Sequence, residues 1–118
     1  MSQSSKIYRH ITQEILDMAK SYPVITIIGP RQSGKTTLVR SIFKEKEYIS
    51  LENLDNRAFA TADPKNFLQK LPHGAILDEI QRVPELLSYI QGIVDEQQIK
   101  GMFILTGSHQ LELHAAIS

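Results

Sequence analysis

The amino-acid sequence predicts a three-layer α/β sandwich around a parallel sheet, and three observations carry that prediction. Short, β-branched apolar runs alternate with amphipathic helical stretches along the 118 residues. A glycine-rich turn joins the first of these runs to the next helix, and a pair of adjacent carboxylates closes a later one. The order helix, then β-α-β-α-β-α-β, calls for right-handed crossovers and strands that all point the same way.

Each element has its own signature. Ile7, Ile11, Ile15 and Met18 recur at helical spacing, so residues 1–22 are expected to hold an amphipathic helix that ends near Ser21-Tyr22-Pro23. Val24-Ile25-Thr26-Ile27-Ile28 reads as a strand covered on both faces and opens a core that runs over residues 23–118. Leu38, Val39, Ile42 and Phe43 mark one face of a second helix, and Tyr48-Ile49-Ser50-Leu51 a second strand. Residues 52–63 are polar and read as irregular, with at most one helical turn. Pro64 fits the first position of a helix 64–71 that Asp63 caps. Gly74 to Asp78 is a third strand. Pro84 opens a longer helix with an apolar stripe of Leu86, Leu87, Ile90, Ile93 and Val94, and Gly101 to Thr106 is a fourth strand.

Composition narrows the function classes. Thirteen basic residues balance thirteen acidic ones, which argues against a general electrostatic grip on nucleic acid or membrane. The first 59 residues carry nine basic and six acidic groups and the remainder four and seven, a mild asymmetry that a solvated surface explains. The chain has no cysteine, which excludes disulfides, zinc ribbons and thiol chemistry, and its start lacks the apolar run of a signal peptide. A cytoplasmic location is the expectation. His10, His73, His109 and His114 share no metal-like spacing.

Gly29-Pro30-Arg31-Gln32-Ser33-Gly34-Lys35-Thr36 matches G-x-x-x-x-G-K-[ST] between a strand and a helix, the context that such a phosphate-binding loop requires. The glycines let successive backbone N–H groups converge on phosphate oxygens, and the helix that begins near Lys35 aims its unpaired N–H groups at the same point. Lys35 supplies a point charge for β- and γ-phosphates, and Thr36 a hydroxyl for Mg²⁺. Arg31 sits mid-loop within reach of a phosphate, although an exposed loop arginine is the plainer account of it.

Ala75-Ile76-Leu77 leads directly into Asp78-Glu79, at the end of a strand where open parallel sheets place their ligands. Strand alternation should send the two side chains to opposite faces, Asp78 toward magnesium and Glu79 toward an attacking water. Forty-three residues separate Lys35 from Asp78, room for a complete helix–strand–helix crossover. That spacing predicts the P-loop branch with an additional strand beside the loop strand, the branch that carries a glutamate after the acidic strand. The fourth strand then lies between the other two, and Ser108 or Thr106 at its tip would face the γ-phosphate or the water. An ordinary helix cap by Ser108 is the alternative. Gln81 and Arg82 suit either contact with nucleotide or a partner, or plain surface contacts, and Glu52 stays unassigned.

With these segments in view, the chain resembles a known family: prokaryotic AAA+ type ATPases that carry a C-terminal domain of unknown function. The residues that carry the resemblance are Gly29 to Leu38, Ile76-Leu77-Asp78-Glu79-Ile80-Gln81-Arg82-Val83-Pro84-Glu85-Leu86-Leu87, and Phe103-Ile104-Leu105-Thr106-Gly107-Ser108. The match runs from about Ile7 onward and covers the N-terminal portion of such proteins. It implies ATP and Mg²⁺ as ligands, a Walker A role for Gly29 to Thr37, a Walker B role for Asp78 and Glu79, and a sensor role near Ser108. It also implies a fifth strand, an arginine that acts on a neighbouring subunit, and a helical lid. Residues 101–118 contain no lysine or arginine for the latter two, so the sandwich is expected to be incomplete at its C-terminus, as in a truncated product.

Three readings follow. The first is an AAA+ core that hydrolyses ATP in its complete form and is weak or inactive as these 118 residues. The second is a non-catalytic nucleotide-binding fragment or interaction module. The third, a small-molecule P-loop kinase, is disfavoured because such enzymes seldom need a water-activating glutamate beside the acidic strand. Without a fifth strand, Val24–Ile28 would be a bare apolar edge, so poor solubility or self-association there is expected of the isolated polypeptide.

Overall fold

The run Val-Ile-Thr-Ile-Ile has branched side chains at every position and forms the first strand, β1 (Val24–Ile28). The computed structural model describes residues 2–30 and 33–108, with side chains from Arg9 onward. Before β1 comes α1 (Ser2–Ser21). After it come α2 (Lys35–Ile42), β2 (Tyr48–Ser50), α3 (Leu54–Ala62), α4 (Pro64–Gln69), β3 (Ala75–Asp78), α5 (Leu86–Gln97) and β4 (Phe103–Gly107). The strands form one parallel sheet in the order β1-β4-β3-β2, so the last strand in sequence lies between the loop strand and the acidic strand, as the spacing predicts.

Parallel register puts side chains of matching parity on one face. Ile25, Ile104, Ile76 and Tyr48 form one row across the sheet, and Thr26, Leu105, Leu77 and Ile49 the row on the opposite face. The first row packs with Val39 of α2 and with Ala19, Ile27 and Phe43. The second belongs to a larger core that α3, α4 and α5 cover, with Ala60, Phe67, Leu68, Leu86, Ile90 and Val94 among its members. The result is a three-layer α/β sandwich with a thin side and a thick side.

Three local readings need correction. Residues 54–62, expected to be irregular, form a helix of more than two turns. Asn53 caps it by accepting from the Asn56 N–H at 3.0 Å, and Phe59 meets Phe67 edge-on with ring centroids 5.5 Å apart. Its apolar content is too sparse for periodicity to reveal, since Leu54 points to solvent and Ala60 is its sole fully buried residue. The helix that Pro64 opens, and that Asp63 caps at 3.2 Å from the Asn66 N–H, ends at Gln69 instead of residue 71. The turn that then leads into β3 needs Gly74, whose φ is +81° and where a Cβ would sit 1.8 Å from the Met102 carbonyl oxygen. Pro84 does not open α5. A 3-10 turn at Ile80–Arg82 and the tight bonds from the Leu86 N–H to the Val83 oxygen and the Leu87 N–H to the Pro84 oxygen delay its start to Leu86.

Among the described residues no helix is long and apolar enough to cross a membrane.

Candidate phosphate-binding site

The loop after β1 turns into α2 through Gly34, whose φ of 88° lies in the left-handed region that glycine enters without steric cost. No side chain of a described residue caps α2 at Gly34, and the first N–H groups of a helix have no acceptor within the helix itself. The base of the loop is tied to the sheet by the Gly29 N–H, which donates to the Gly107 oxygen at 3.1 Å. Ser33 and Thr37 are exposed, as is Pro30. Arg31 and Gln32 lie outside the described residues.

Lys35 and Thr36, the first two residues of α2, reach the two acids at the end of β3. The Lys35 side chain is buried; Nζ donates to the Pro30 oxygen at 3.1 Å and lies 3.7 Å from Glu79 Oε2. Thr36 Oγ1 donates to Asp78 Oδ1 at 2.9 Å. Both carboxylates are thus directed at the start of α2 and not to the opposite faces that strand alternation predicts, because Glu79 already lies outside the strand. Asp78 is the last residue of β3, whereas Glu79 leaves the strand with φ +61° and ψ +54°, a conformation that costs a non-glycine residue about 1–2 kcal/mol.

Each acid has its own partners. Asp78 Oδ1 also accepts from Thr106 Oγ1, and Asp78 Oδ2 accepts from Tyr48 Oη at 2.7 Å. Glu79 Oε1 accepts from Gln81 Nε2 at 2.6 Å and from Ser108 Oγ at 3.2 Å, while Gln81 Nε2 also donates to Ser108 Oγ at 2.9 Å. Thr106 Oγ1 accepts from the Glu79 N–H at 3.2 Å and so joins the two groups. The two candidates at the tip of β4 therefore divide, Thr106 bonding to Asp78 and Ser108 to Glu79. Both acids are buried, and the ammonium and these hydroxyl and amide donors satisfy their oxygens.

Two of these partners are new relative to the sequence reading. Gln81, left between a ligand contact and a surface role, bridges Glu79 and Ser108, and its Oε1 is buried with no hydrogen-bond partner among the described residues. Tyr48 carries no sequence signal beyond a strand position. Burial pushes its phenol up to about 12, helped by its hydrogen bond to Asp78 and by that carboxylate's charge, so it stays a donor at neutral pH. The Arg40 guanidinium lies over its ring, 4.0 Å from the centroid, and partly opposes the shift. Glu52 pairs with Arg82 at 3.4 Å, where both are more than a third exposed and the pair contributes little.

A strand-loop-helix of this sequence, with acids at the end of the third strand and the fourth strand inserted beside the first, defines a P-loop NTPase core of the AAA type. The chain belongs to the AAA domain family, which it matches over residues 21–118. It is 36% identical over 93 residues to the uncharacterized protein Mb2031c of Mycobacterium bovis, and equally to Rv2008c of Mycobacterium tuberculosis. Those alignments take in 77% of this chain and 21% of each relative, so the chain spans about a fifth of their length. Among solved structures, Caenorhabditis elegans PCH-2 aligns with 96% of this chain and 39% of its own, at a TM-score of 0.60 and 16% identity. A DNA replication initiation factor aligns at 0.58 with 16% identity over 92% of this chain and 39% of its own, and the DnaC helicase loader at 0.52 with 17% identity over 93% and 71%. At such identities the likeness is one of fold.

Proposed function

We propose that the chain binds ATP with Mg²⁺ at the junction of β1 and α2, and that the complete protein hydrolyses it. The observation that carries this reading is the convergence of Lys35 and Thr36, from the start of α2, on Asp78 and Glu79 at the end of β3. A hydroxyl and a carboxylate are hard oxygen donors that suit Mg²⁺, and they already sit 2.9 Å apart. Thr36 and Asp78 would hold the ion, which supplies charge neutralisation to the β- and γ-phosphates when bound.

The chain's own groups do the rest. The N–H groups at the start of α2, with those of the loop 29–34, orient the phosphates. Lys35 gives up its contacts with Pro30 and Glu79 and pairs with the phosphate oxygens. Glu79, freed on that side, accepts a proton from the attacking water at its carboxylate, and Ser108 and Gln81 hold the other carboxylate oxygen. Ser108 takes the sensor position of this reading. Arg31 and Gln32 are assigned to the phosphate loop from the sequence.

Titration with a fluorescent ATP analogue and single-turnover hydrolysis test the proposal on the native chain, Lys35→Ala and Glu79→Gln. Lys35→Ala is expected to weaken binding by about 100-fold or more, and Glu79→Gln to retain binding and lose about 10²- to 10⁴-fold in turnover. Saturable binding with no turnover in any chain would favour the non-catalytic module, and absence of saturable binding by the folded native chain would overturn the proposal.

A second observation favours self-association of the isolated polypeptide. β1 ends the sheet, its residues are apolar apart from Thr26, and all but Ile25 are only half-buried. An open cavity of about 230 Å³ beside it is lined by Tyr22, Val24, Thr26, Leu87 and Ile90. Light scattering at rising concentration should show a dimer or larger species, and a strictly monomeric sample would refute this.

A further inference from the structure

Tyr48 belongs neither to the phosphate loop nor to the acidic pair, yet it holds the second oxygen of Asp78. Parallel register explains how. Tyr48 pairs with Ile76, and Asp78 lies two residues further along β3 on the same face, so a side chain as long as tyrosine spans the diagonal. The hydrogen bond from Oη to Oδ2 is 2.7 Å, in the range of a charge-assisted O–H···O⁻ contact. Oδ1 is left to Thr36 and Thr106. On its other side the ring meets the Arg40 guanidinium, and Arg40 lies one turn after Thr36 on α2. One helix therefore supplies both the hydroxyl that meets Oδ1 and the cation that braces the group on Oδ2.

We propose that Tyr48, braced by Arg40, is a positioning residue that fixes the rotation of the Asp78 carboxylate so that Oδ1 faces Thr36. This rests on the reading of Thr36 and Asp78 as the residues that hold Mg²⁺. Without the phenol hydroxyl, Oδ2 has lost a donor and the carboxylate is free to turn about its last bond, at the cost of the alignment of Oδ1. Partners of this kind, one bond removed from the ligand, typically set 10- to 100-fold in metal affinity.

The test is a Mg²⁺ titration of fluorescent ATP-analogue binding by the native chain, Tyr48→Phe and Arg40→Met, with each affinity also measured in EDTA. Tyr48→Phe is expected to raise the half-saturating Mg²⁺ by about tenfold while its EDTA affinity and melting temperature stay close to native, a combination that a merely structural role would not produce. Arg40→Met, which keeps the hydroxyl and loses the brace, is expected to raise it by about threefold, and it decides the matter if the phenylalanine chain does not fold. An unchanged Mg²⁺ requirement in the deciding variant, with a native chain that does depend on Mg²⁺, overturns the role of Tyr48 and leaves the nucleotide reading intact. A native chain whose binding ignores Mg²⁺ overturns both.

Discussion

The two sides of the sheet are built on different principles. The side under α3, α4 and α5 is held by a broad apolar core that includes Phe103, Leu105, Leu77, Phe67 and Ile90. The side under α1 and α2 has a smaller cluster, Ile25, Val39, Ile76 and Ile104 with a few half-buried neighbours, and α1 adds the buried Ile15. Of α2, Lys35 and Val39 alone are buried, and much of its attachment is polar: Thr36 to Asp78, Lys35 to Glu79, and Arg40 over Tyr48. Hydrophobic burial grows with area and is indifferent to direction, whereas hydrogen bonds fix distance and angle. The thick side can therefore supply most of the stability, and the thin side can place the groups that would meet a ligand.

Substitutions that strike one side at a time test this division. Phe103→Ala, in the thick core, should cost about 3–5 kcal/mol in urea unfolding and leave the nucleotide affinity of the remaining folded molecules unchanged. Val39→Ala, the main apolar anchor of α2, should cost about 2 kcal/mol by the same measurement but also weaken fluorescent-nucleotide binding, because the helix that presents Lys35 and Thr36 loses its seat. If the two changes affected affinity alike, the contrast between the sides would be wrong.

Smaller effects sharpen the picture. Gly34→Ala meets no atom of the described residues within 4 Å, so its expected cost of about 1 kcal/mol comes from the left-handed backbone; calorimetric melting reads the loss, and binding should weaken as the helix start reorients. Arg40→Met should change stability by about 0.5 kcal/mol, visible as a small drop in urea midpoint. A loss as large as that of Val39→Ala would mean that the guanidinium-ring contact secures α2 more than its apolar residue does.

How much of the molecule was legible in the sequence depended on the range of the interaction involved. The helix at Pro64 announced itself through Asp63 and Pro64, which act on backbone groups within three residues. The helix at Leu54 did not, because its support comes from Phe67 and the rest of the thick core instead of its own periodicity. The delayed start of α5 had the same origin, since the choice between a 3-10 turn and an immediate helix after Glu79 depended on where Ile80 and Val83, both deeply buried, had to pack.

The site divides along the same line. From the sequence by itself come the loop 29–36, Lys35, Thr36 and the acidic pair, because a phosphate-binding turn and its helix are local devices whose residues must lie side by side. The parallel α/β order was also readable there, from the alternation of apolar runs. Only the tertiary structure decided that Tyr48 meets Asp78, that Gln81 reaches Ser108, and that Thr106 and Ser108 serve different acids. Tyr48 and Asp78 are 30 residues apart, and Thr106 and Asp78 are 28 apart. Contacts of that span exist once strands lie in register, and the register is set by how the two apolar faces pack, which no stretch of neighbouring residues encodes.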